Sequence, residues 1–393
     1  MLRVLELFAG IGACSKALTN LGIEHEIVDA VEIDKYAVKS FNAIHGTNFE
    51  AQDITTWDKD IECDLIMHGS PCQDFSIAGK LAGGDKGSGT RSSLMYETLR
   101  VVEKLKPKYV IWENVKNLLS QKHIHNFEAY QDALAKMGYT NYYKVLNAKG
   151  FGIPQNRERV FTVSIRNDLG QSFEFPEEEP LQVTLKWFLE EKVDEKFYLT
   201  EEQLNGLLAS NYDQNKRFYK TDGVSPTIST MGGGQRQPKI IEPFVIASRG
   251  RGEKGSISQH LEARHDGTTN TLTSVQKDNY VAVKNATTKG YDLATNGDGI
   301  DLAYPDSKTR RGRVGHGVSK TLETSPNQGV MDEYRIRKLT PKECWRLMGF
   351  DDTDFEKAQK VNSNTQLYKQ AGNSIVVNVL EAILEELLHG NAD

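Results

Sequence analysis

Four side chains stand where polar chemistry interrupts apolar runs: Cys72, Glu113, Arg157 and Arg159. Cys72 follows Pro71 directly behind the run CDLIMHG, which begins at Cys63. A thiol attacks as its thiolate, which an electropositive, partly exposed setting favours, and Pro71 stiffens the turn that presents it. Polar neighbours Ser70, Gln73, Asp74 and Ser76 argue against burial of Cys72 as a small hydrophobe. Glu113 breaks the apolar run KYVIWENV, which otherwise reads as buried, so a plain surface glutamate is a poor reading of it. Arg157 and Arg159 in QNRERV are two apart, so on one strand both face the same side, and their charge would lower the pKa of a nearby thiol. A further pattern is the glycine turn Phe8-Ala9-Gly10-Ile11-Gly12, with Glu32 about 20 residues on. Such a turn brings backbone amides close to a ligand, and the acid accepts ribose hydroxyls, as in a nicotinamide dinucleotide site. On these residues alone a dehydrogenase competes.

These groups can cooperate only if strands deliver them to one edge. From Leu2 to about Asn167, β-branched runs (RVLELFA, HEIVDAVEI, CDLIMHG, KYVIWENV, YYKVLNA, RVFTVSI) alternate with amphipathic stretches (ACSKALTNLG, KYAVKSFNAIHG, SLMYETLRVVEKLK, NFEAYQDALAKMG). That alternation predicts a doubly wound, mostly parallel α/β sheet, whose ligands bind at the carboxyl ends of the strands. Acidic residues from FPEEE at Phe175 to Glu202 mark a change of composition and a domain boundary. Beyond them three similar octets begin at Gly223, Gly267 and Gly317, spaced too unevenly for a solenoid, and predict turn-and-strand units of a smaller, irregular β-rich domain. The chain closes on an apolar helix, IVVNVLEAILEELL from Ile375.

Pro-Cys-Gln behind an apolar strand resembles the catalytic motif of the DNA (cytosine-5-)-methyltransferases of bacterial and phage type. Further motifs follow the family's order: FAGIGA from Phe8, VEID from Val31, DIT from Asp53, ENVKNLL from Glu113, QNRERV from Gln155, RKLTPKECWRLMGF from Arg337 and AGNSIVVNV from Ala371. They cover both ends of the chain and leave one long interval unmatched. The resemblance implies a Rossmann-like methyltransferase fold and S-adenosylmethionine as cofactor. It puts Phe8, Ala9, Gly10 and Gly12 around the methionine and ribose portions, Glu32 on the ribose, Ile33 on adenine, and Asp53 with Ile54 at the adenine amine. Pro71 and Leu94 would wall the pocket, and Asn373 with Ser374 would close it. It implies residues 1–176 completed by 366–393 as the catalytic domain, with 177–365 as the target-recognition domain.

In that chemistry Cys72 adds to carbon 6 of cytosine, Glu113 serves ring nitrogen 3, Arg159 lies near the base carbonyl and Cys72, Arg157 near the phosphate, and Gln73 belongs to the same catalytic motif. A base in a stacked duplex is covered on both faces, so the cytosine must be flipped out. The Gly- and Ser-rich segment between Gln73 and Ser93 is expected to close over it.

The net charge of −6 is unusual for a protein that binds DNA, but its distribution is uneven. Residues 211–320 hold 17 Lys and Arg against 11 Asp and Glu. Duplex DNA is the expected partner, with Ser76, Arg157, Arg249, Arg251, Arg310, Arg311 and Arg313 as contacts, the arginines mainly to phosphate. Transfer RNA is the alternative substrate within the fold, and a non-catalytic DNA-binding relative is the alternative outside enzymology. Four cysteines without CxxC pairs, and histidines without ligand spacing, lead us to expect no metal and a reducing compartment. No secretory or 18-residue apolar stretch occurs, so a cytoplasmic protein is expected, and because one flipped base needs one active site a monomer is expected, with a cognate restriction endonuclease as a possible companion.

Overall fold

Six apolar runs form one sheet in the computed structural model of the protein, which describes residues 1–71, 94–208, 217–231, 236–243, 245–251, 258–264, 281–284, 291–294, 299–301, 314–315, 328–330 and 334–389. In chain order the first elements are β1 (Leu2–Leu7), α1 (Ala13–Asn20), β2 (His25–Val31), α2 (Lys35–His45), β3 (Leu65–His68), α3 (Met95–Leu105), β4 (Tyr109–Val115), α4 (Ile124–Lys136), β5 (Tyr139–Asn147), β6 (Gln155–Asn156) and β7 (Glu158–Arg166). The sheet order is β2-β1-β3-β4-β7-β5. β2, β1, β3 and β4 run parallel, and β7 lies antiparallel between β4 and β5. All six strands and four helices expected from the alternation are present.

The parity of β1 explains how the sheet is covered. Leu5 and Leu7 join Ile66, Val110 and Trp112 in one core cluster with Met95 and Val101 of α3 and Phe127 and Tyr130 of α4. Val4, Leu65 and Ile111, of opposite parity, are also fully buried, because α1 covers the other face. Truncating one such leucine to alanine costs about 2–5 kcal/mol. Local signals set the helix ends: Asp34 caps α2 by accepting from the Tyr36 amide, and Gly46 ends it in the left-handed region.

The chain packs as two compact units, Met1–Leu189 with Thr221–Pro238 and Leu339–Asp393, and Glu190–Lys220 with Lys239–Lys338. The expected interval 177–365 is thus divided by packing. Residues 177–189, 221–238 and 339–365 group with the sheet, and unit two begins at Glu190.

Within unit two lie α5 (Glu201–Leu208) and short strands. β8 (Phe218–Lys220), β10 (Lys239–Pro243) and β18 (Tyr334–Lys338) form a three-stranded sheet. β11 (Val245–Arg251) pairs with β12 (Ser258–Arg264), and β13 (Val281–Lys284) with β14 (Tyr291–Ala294). β15 (Gly299–Asp301) joins β16 (Val314–Gly315) and β17 (Gln328–Val330). This is the smaller, irregular β-rich body expected in addition to the sheet.

Of the three octets, only the one from Gly223 is described, and it belongs to unit one. There β9 (Ser225–Pro226) pairs with β6. The C-terminal helices are α6 (Pro341–Arg346), α7 (Asp352–Gln359), α8 (Asn364–Asn373) and α9 (Val377–His389). Thr340 and Glu343 form a capping box at α6 with Pro341 in the first turn. The terminal helix α9 packs beside α1, and α7 packs beside α2.

Candidate active site

The glycine turn after β1 is a strained loop braced by the carboxyl of Glu32. Phe8 has φ 53°, a left-handed conformation that costs a non-glycine residue, followed by Gly10 and Gly12 at 57° and 82°. Glu32, just past β2, accepts from the Gly10 amide (3.0 Å) and the Asp34 amide (2.8 Å), so the ribose-binding candidate also braces the turn. Burial raises the Glu32 pKa against the pull of those backbone donors. A Cβ at Gly12 would meet His45 Nε2 at 2.1 Å, so Gly12 serves the close packing of α2 against the turn.

Glu6 was not among the expected site residues. It is 3% exposed and accepts from the Ser15 amide (3.0 Å) and the Ser15 hydroxyl, so its carboxyl fills the start of α1. Burial pushes its pKa up to about 7, with the Ser15 hydrogen bonds opposing. The usable signal was a lone acid of buried parity in LRVLEL. A dinucleotide pyrophosphate would need this helix start, and a carboxyl already there removes the physical basis of the dehydrogenase reading.

A cleft opens over this turn, lined by Glu6, Phe8, Ala9, Gly10, Met67, Gly69, Asn373, Ser374 and Ile375 among others. Residues from both ends of the chain therefore meet there. Ile33 is 70% exposed beside Glu32, an apolar surface available to a flat ring. Asp53 lies on an exposed turn, where Oδ1 accepts from the Thr55 amide (2.9 Å) and hydroxyl (2.8 Å). Ile54 is buried, and Leu94 packs against the same core cluster.

At the carboxyl ends of β3 and β4 lie the candidate reactive groups. Glu113 and Arg159 are cross-strand diagonal neighbours, since Val115 pairs with Arg159. Their ion pair, Arg159 Nε to Glu113 Oε1 at 2.9 Å, has side chains only 16% and 11% exposed. The other Glu113 oxygen, Oε2, lies by Gly69 and Ile375 at the cleft wall. Ser70 is anchored from β4: Trp112 Nε1 donates to its hydroxyl (3.0 Å) and Asn114 Nδ2 to its carbonyl (3.3 Å). Trp112 in turn stacks on His68, which burial holds neutral with a pKa lowered to about 3. Neighbouring strands thereby set the root of the Pro71 turn relative to Glu113.

Arg157 corrects the expectation that both arginines share a strand face and that this one approaches a phosphate. The strand breaks at Arg157: its amide donates to the Gln155 carbonyl (3.0 Å) and to Asn147 Oδ1 (3.1 Å). Its side chain turns inward, 4% exposed, and donates to the carbonyls of Ile228 (3.0 Å), Gly372 (3.3 Å) and Ser374 (2.8 Å). Three carbonyls accept from the two terminal nitrogens of this buried guanidinium, and in this position it ties the Asn373–Ser374 turn to the segment after β9. Gln155 works alongside it, donating to the Leu347 carbonyl and accepting from the Ile228 amide. Gly372 permits the contact, since a Cβ there would lie 2.2 Å from the Ser229 carbonyl carbon and oxygen.

Cys72, Gln73, Ser76, Arg310, Arg311 and Arg313, and the expected covering segment between Gln73 and Ser93, lie outside the described residues. Arg249 and Arg251 fall on β11, opposite His260 and Ser258, and their side chains lie outside the described ones. Cys14, Cys63 and Cys344 are buried, and burial raises the pKa of Cys14 and Cys63, as fits inert core thiols. Among the described residues no cluster of three or more His, Cys, Asp or Glu could hold a metal ion, and no helix is long and apolar enough to cross a membrane.

Comparison with known proteins extends these observations over the whole chain. The family model described as C-5 cytosine-specific DNA methylase matches residues 2–389. Orphan methyltransferase M.SPRI of Bacillus phage SPR is 34% identical, covering 99% of this chain and 98% of that protein. Type II methyltransferase M.HhaI of Haemophilus parahaemolyticus is 30% identical, covering 97% and 93%. Among solved structures, the S. pombe Dnmt2 methyltransferase superposes with a TM-score of 0.57 at 18% identity, covering 100% of both chains. The Entamoeba histolytica methyltransferase EhMeth reaches 0.60 at 15% identity, covering 100% and 99%. The two structures share the fold.

Proposed function

The chain belongs to the C-5 cytosine-specific DNA methylase family, and from that premise we propose that it methylates carbon 5 of a flipped-out cytosine within a short duplex sequence, through a covalent Cys72 adduct. The observation that carries the reading is the shielded Glu113–Arg159 pair at the strand edge beside Gly69 and Ser70. Cytosine carbon 5 is a poor nucleophile, so addition of the Cys72 thiolate to carbon 6 must first raise its electron density. Charge then develops on the ring at nitrogen 3. Glu113, oriented by Arg159, would meet that charge with a proton or short hydrogen bond. Once carbon 5 carries the methyl group, loss of its proton re-forms the double bond and expels Cys72 as thiolate.

S-adenosylmethionine, when bound, supplies the electrophilic methyl group. The donor set fits it: Glu32 for ribose hydroxyls, exposed Ile33 for adenine, Asp53 and Ile54 for the adenine edge, and Phe8, Asn373 and Ser374 along the cleft. A helix start already occupied by the Glu6 carboxyl suits a cofactor without phosphate.

Target recognition falls, in this reading, to the interval 177–365, with the β-rich unit two as its folded body, and the excess of Lys and Arg over 211–320 supports phosphate contact. Relatives named orphan and type II methyltransferases favour a role in phage self-modification or restriction-modification, in the cytoplasm of a bacterial cell. The test is to incubate the purified protein with S-adenosylmethionine and unmethylated genomic DNA, and to map 5-methylcytosine at single-base resolution beside Cys72→Ala. Methylation confined to one short motif and abolished by the substitution is expected. Methylation of transfer RNA alone, or of nothing, refutes the proposal.

A further inference from the structure

Asp53, assigned above to the adenine amine, lies outside any helix or strand, and an exposed turn holds a carboxylate in place only where it is fastened. Two charged side chains fasten it. Arg100, on α3, donates from Nη1 to the Trp57 carbonyl (2.8 Å) and from Nη2 to the Ile54 carbonyl (2.7 Å), while its Nε is held by Glu97 (3.0 Å). From the other side Asp29, 1% exposed on β2, accepts from Trp57 Nε1 (2.8 Å) and Gln52 Nε2 (2.8 Å) and pairs with Lys59 (2.7 Å). The span Gln52–Trp57 is thus gripped at both ends and at Ile54. Within it the amides of Thr56 and Trp57 close back on the Asp53 carbonyl.

The chemistry of the grip is specific. One planar guanidinium spans two carbonyls three residues apart, which the single ammonium of a lysine cannot match, and charge-assisted bonds are the stronger class. We propose that Arg100 and Asp29 are positioning residues for cofactor selectivity, holding the Asp53 turn where its carboxylate accepts the exocyclic amine of adenine. The proposal rests on the cofactor reading above. Neither residue needs to touch the cofactor; each acts through the turn. A turn released from Arg100 still offers a carboxylate, but in many positions, so it no longer separates a ring bearing an amine from one bearing a carbonyl.

The test is calorimetric binding to the full-length protein of S-adenosylhomocysteine and of its hypoxanthine counterpart, S-inosylhomocysteine. It compares the parent with Arg100→Lys, Asp29→Asn and, as control, Lys104→Ala, which removes a contact to Asp58 just beyond the turn. The parent is expected to favour the adenine ligand by about 100-fold or more, and Arg100→Lys to reduce that preference to about tenfold by weakening only the adenine ligand. Asp29→Asn should act in the same direction, and Lys104→Ala should leave the ratio unchanged. Variants that keep the parental ratio, even with weaker binding of both ligands or a lower melting temperature, make Arg100 and Asp29 plain structural braces and overturn the inference. A parent that binds both ligands equally removes the role of Asp53 and this inference with it. A parent that binds neither refutes the cofactor reading itself.

Discussion

Replacing Glu6 by glutamine should change how stability depends on pH, in a way fixed by burial. Burial carries the Glu6 carboxyl from an ordinary 4.5 to about 7. Between those two values the folded protein keeps a proton that the unfolded chain has released, so stability falls as pH rises through the window. The full difference is about 3 kcal/mol, complete above the folded value and absent below 4.5. Glutamine keeps an acceptor for Ser15 and has no proton to lose. Urea unfolding followed by tryptophan fluorescence suits the question, because Trp57, Trp112, Trp187 and Trp345 all belong to unit one. Relative to the parent, Glu6→Gln should gain about 3 kcal/mol between pH 4.5 and pH 8. His45 and His68, lowered by burial to about 4 and about 3, lose stability as pH falls below 6.5, but they do so equally in both proteins. Parallel pH profiles for the two proteins would refute the argument that Glu6 is buried as a proton-holding acid.

The site and its scaffold carry further expectations. Arg159→Ala removes the partner of a nearly buried Glu113 and should lower kcat for DNA methylation by about 10²–10³-fold, measured by methyl incorporation at saturating DNA. Gly372→Ala drives a methyl group into the Ser229 carbonyl and should destabilise unit one by about 1–3 kcal/mol in the same urea assay, with weaker S-adenosylhomocysteine binding because Ser374 lies beside it. Thr340→Ala breaks the capping box of α6 and should cost about 1 kcal/mol in that assay, with the KM for DNA unchanged.

The sheet was legible in the sequence because alternation of strand and helix periods is local, and each strand announced itself by a short β-branched run. The capping box of α6 has a signal of the same local kind, since its partners Thr340 and Glu343 are three residues apart. At the strand edge the sequence singled out Glu113 as an acid in an apolar run and Arg159 by its place in QNRERV, whereas the ion pair between them came only from the fold. Family resemblance, carried by ordered motifs, supplied the cofactor and substrate expectations that spacing alone left open between a methyltransferase and a dehydrogenase.

What the tertiary structure decided depends on contacts far apart in the chain. Arg157 and Arg159 look equivalent two residues apart, yet a break in the strand turns Arg157 inward onto carbonyls near residues 228 and 372, while Arg159 pairs with Glu113 across β4 and β7. Glu6, Asp29 and Arg100 carry no motif, and their roles follow from the Ser15, Trp57 and Ile54 groups that folding brings to them. The segment after Gly223 reads as part of the polar middle region, but Gln155, Arg157 and the missing Cβ of Gly372 bind it to the sheet unit. Sequence patterns specify which residues lie on which face of an element. Which of two polar groups joins a shielded ion pair and which becomes a buried clamp depends on the partners available once the elements pack, because a buried charge must find its hydrogen bonds wherever the fold provides them.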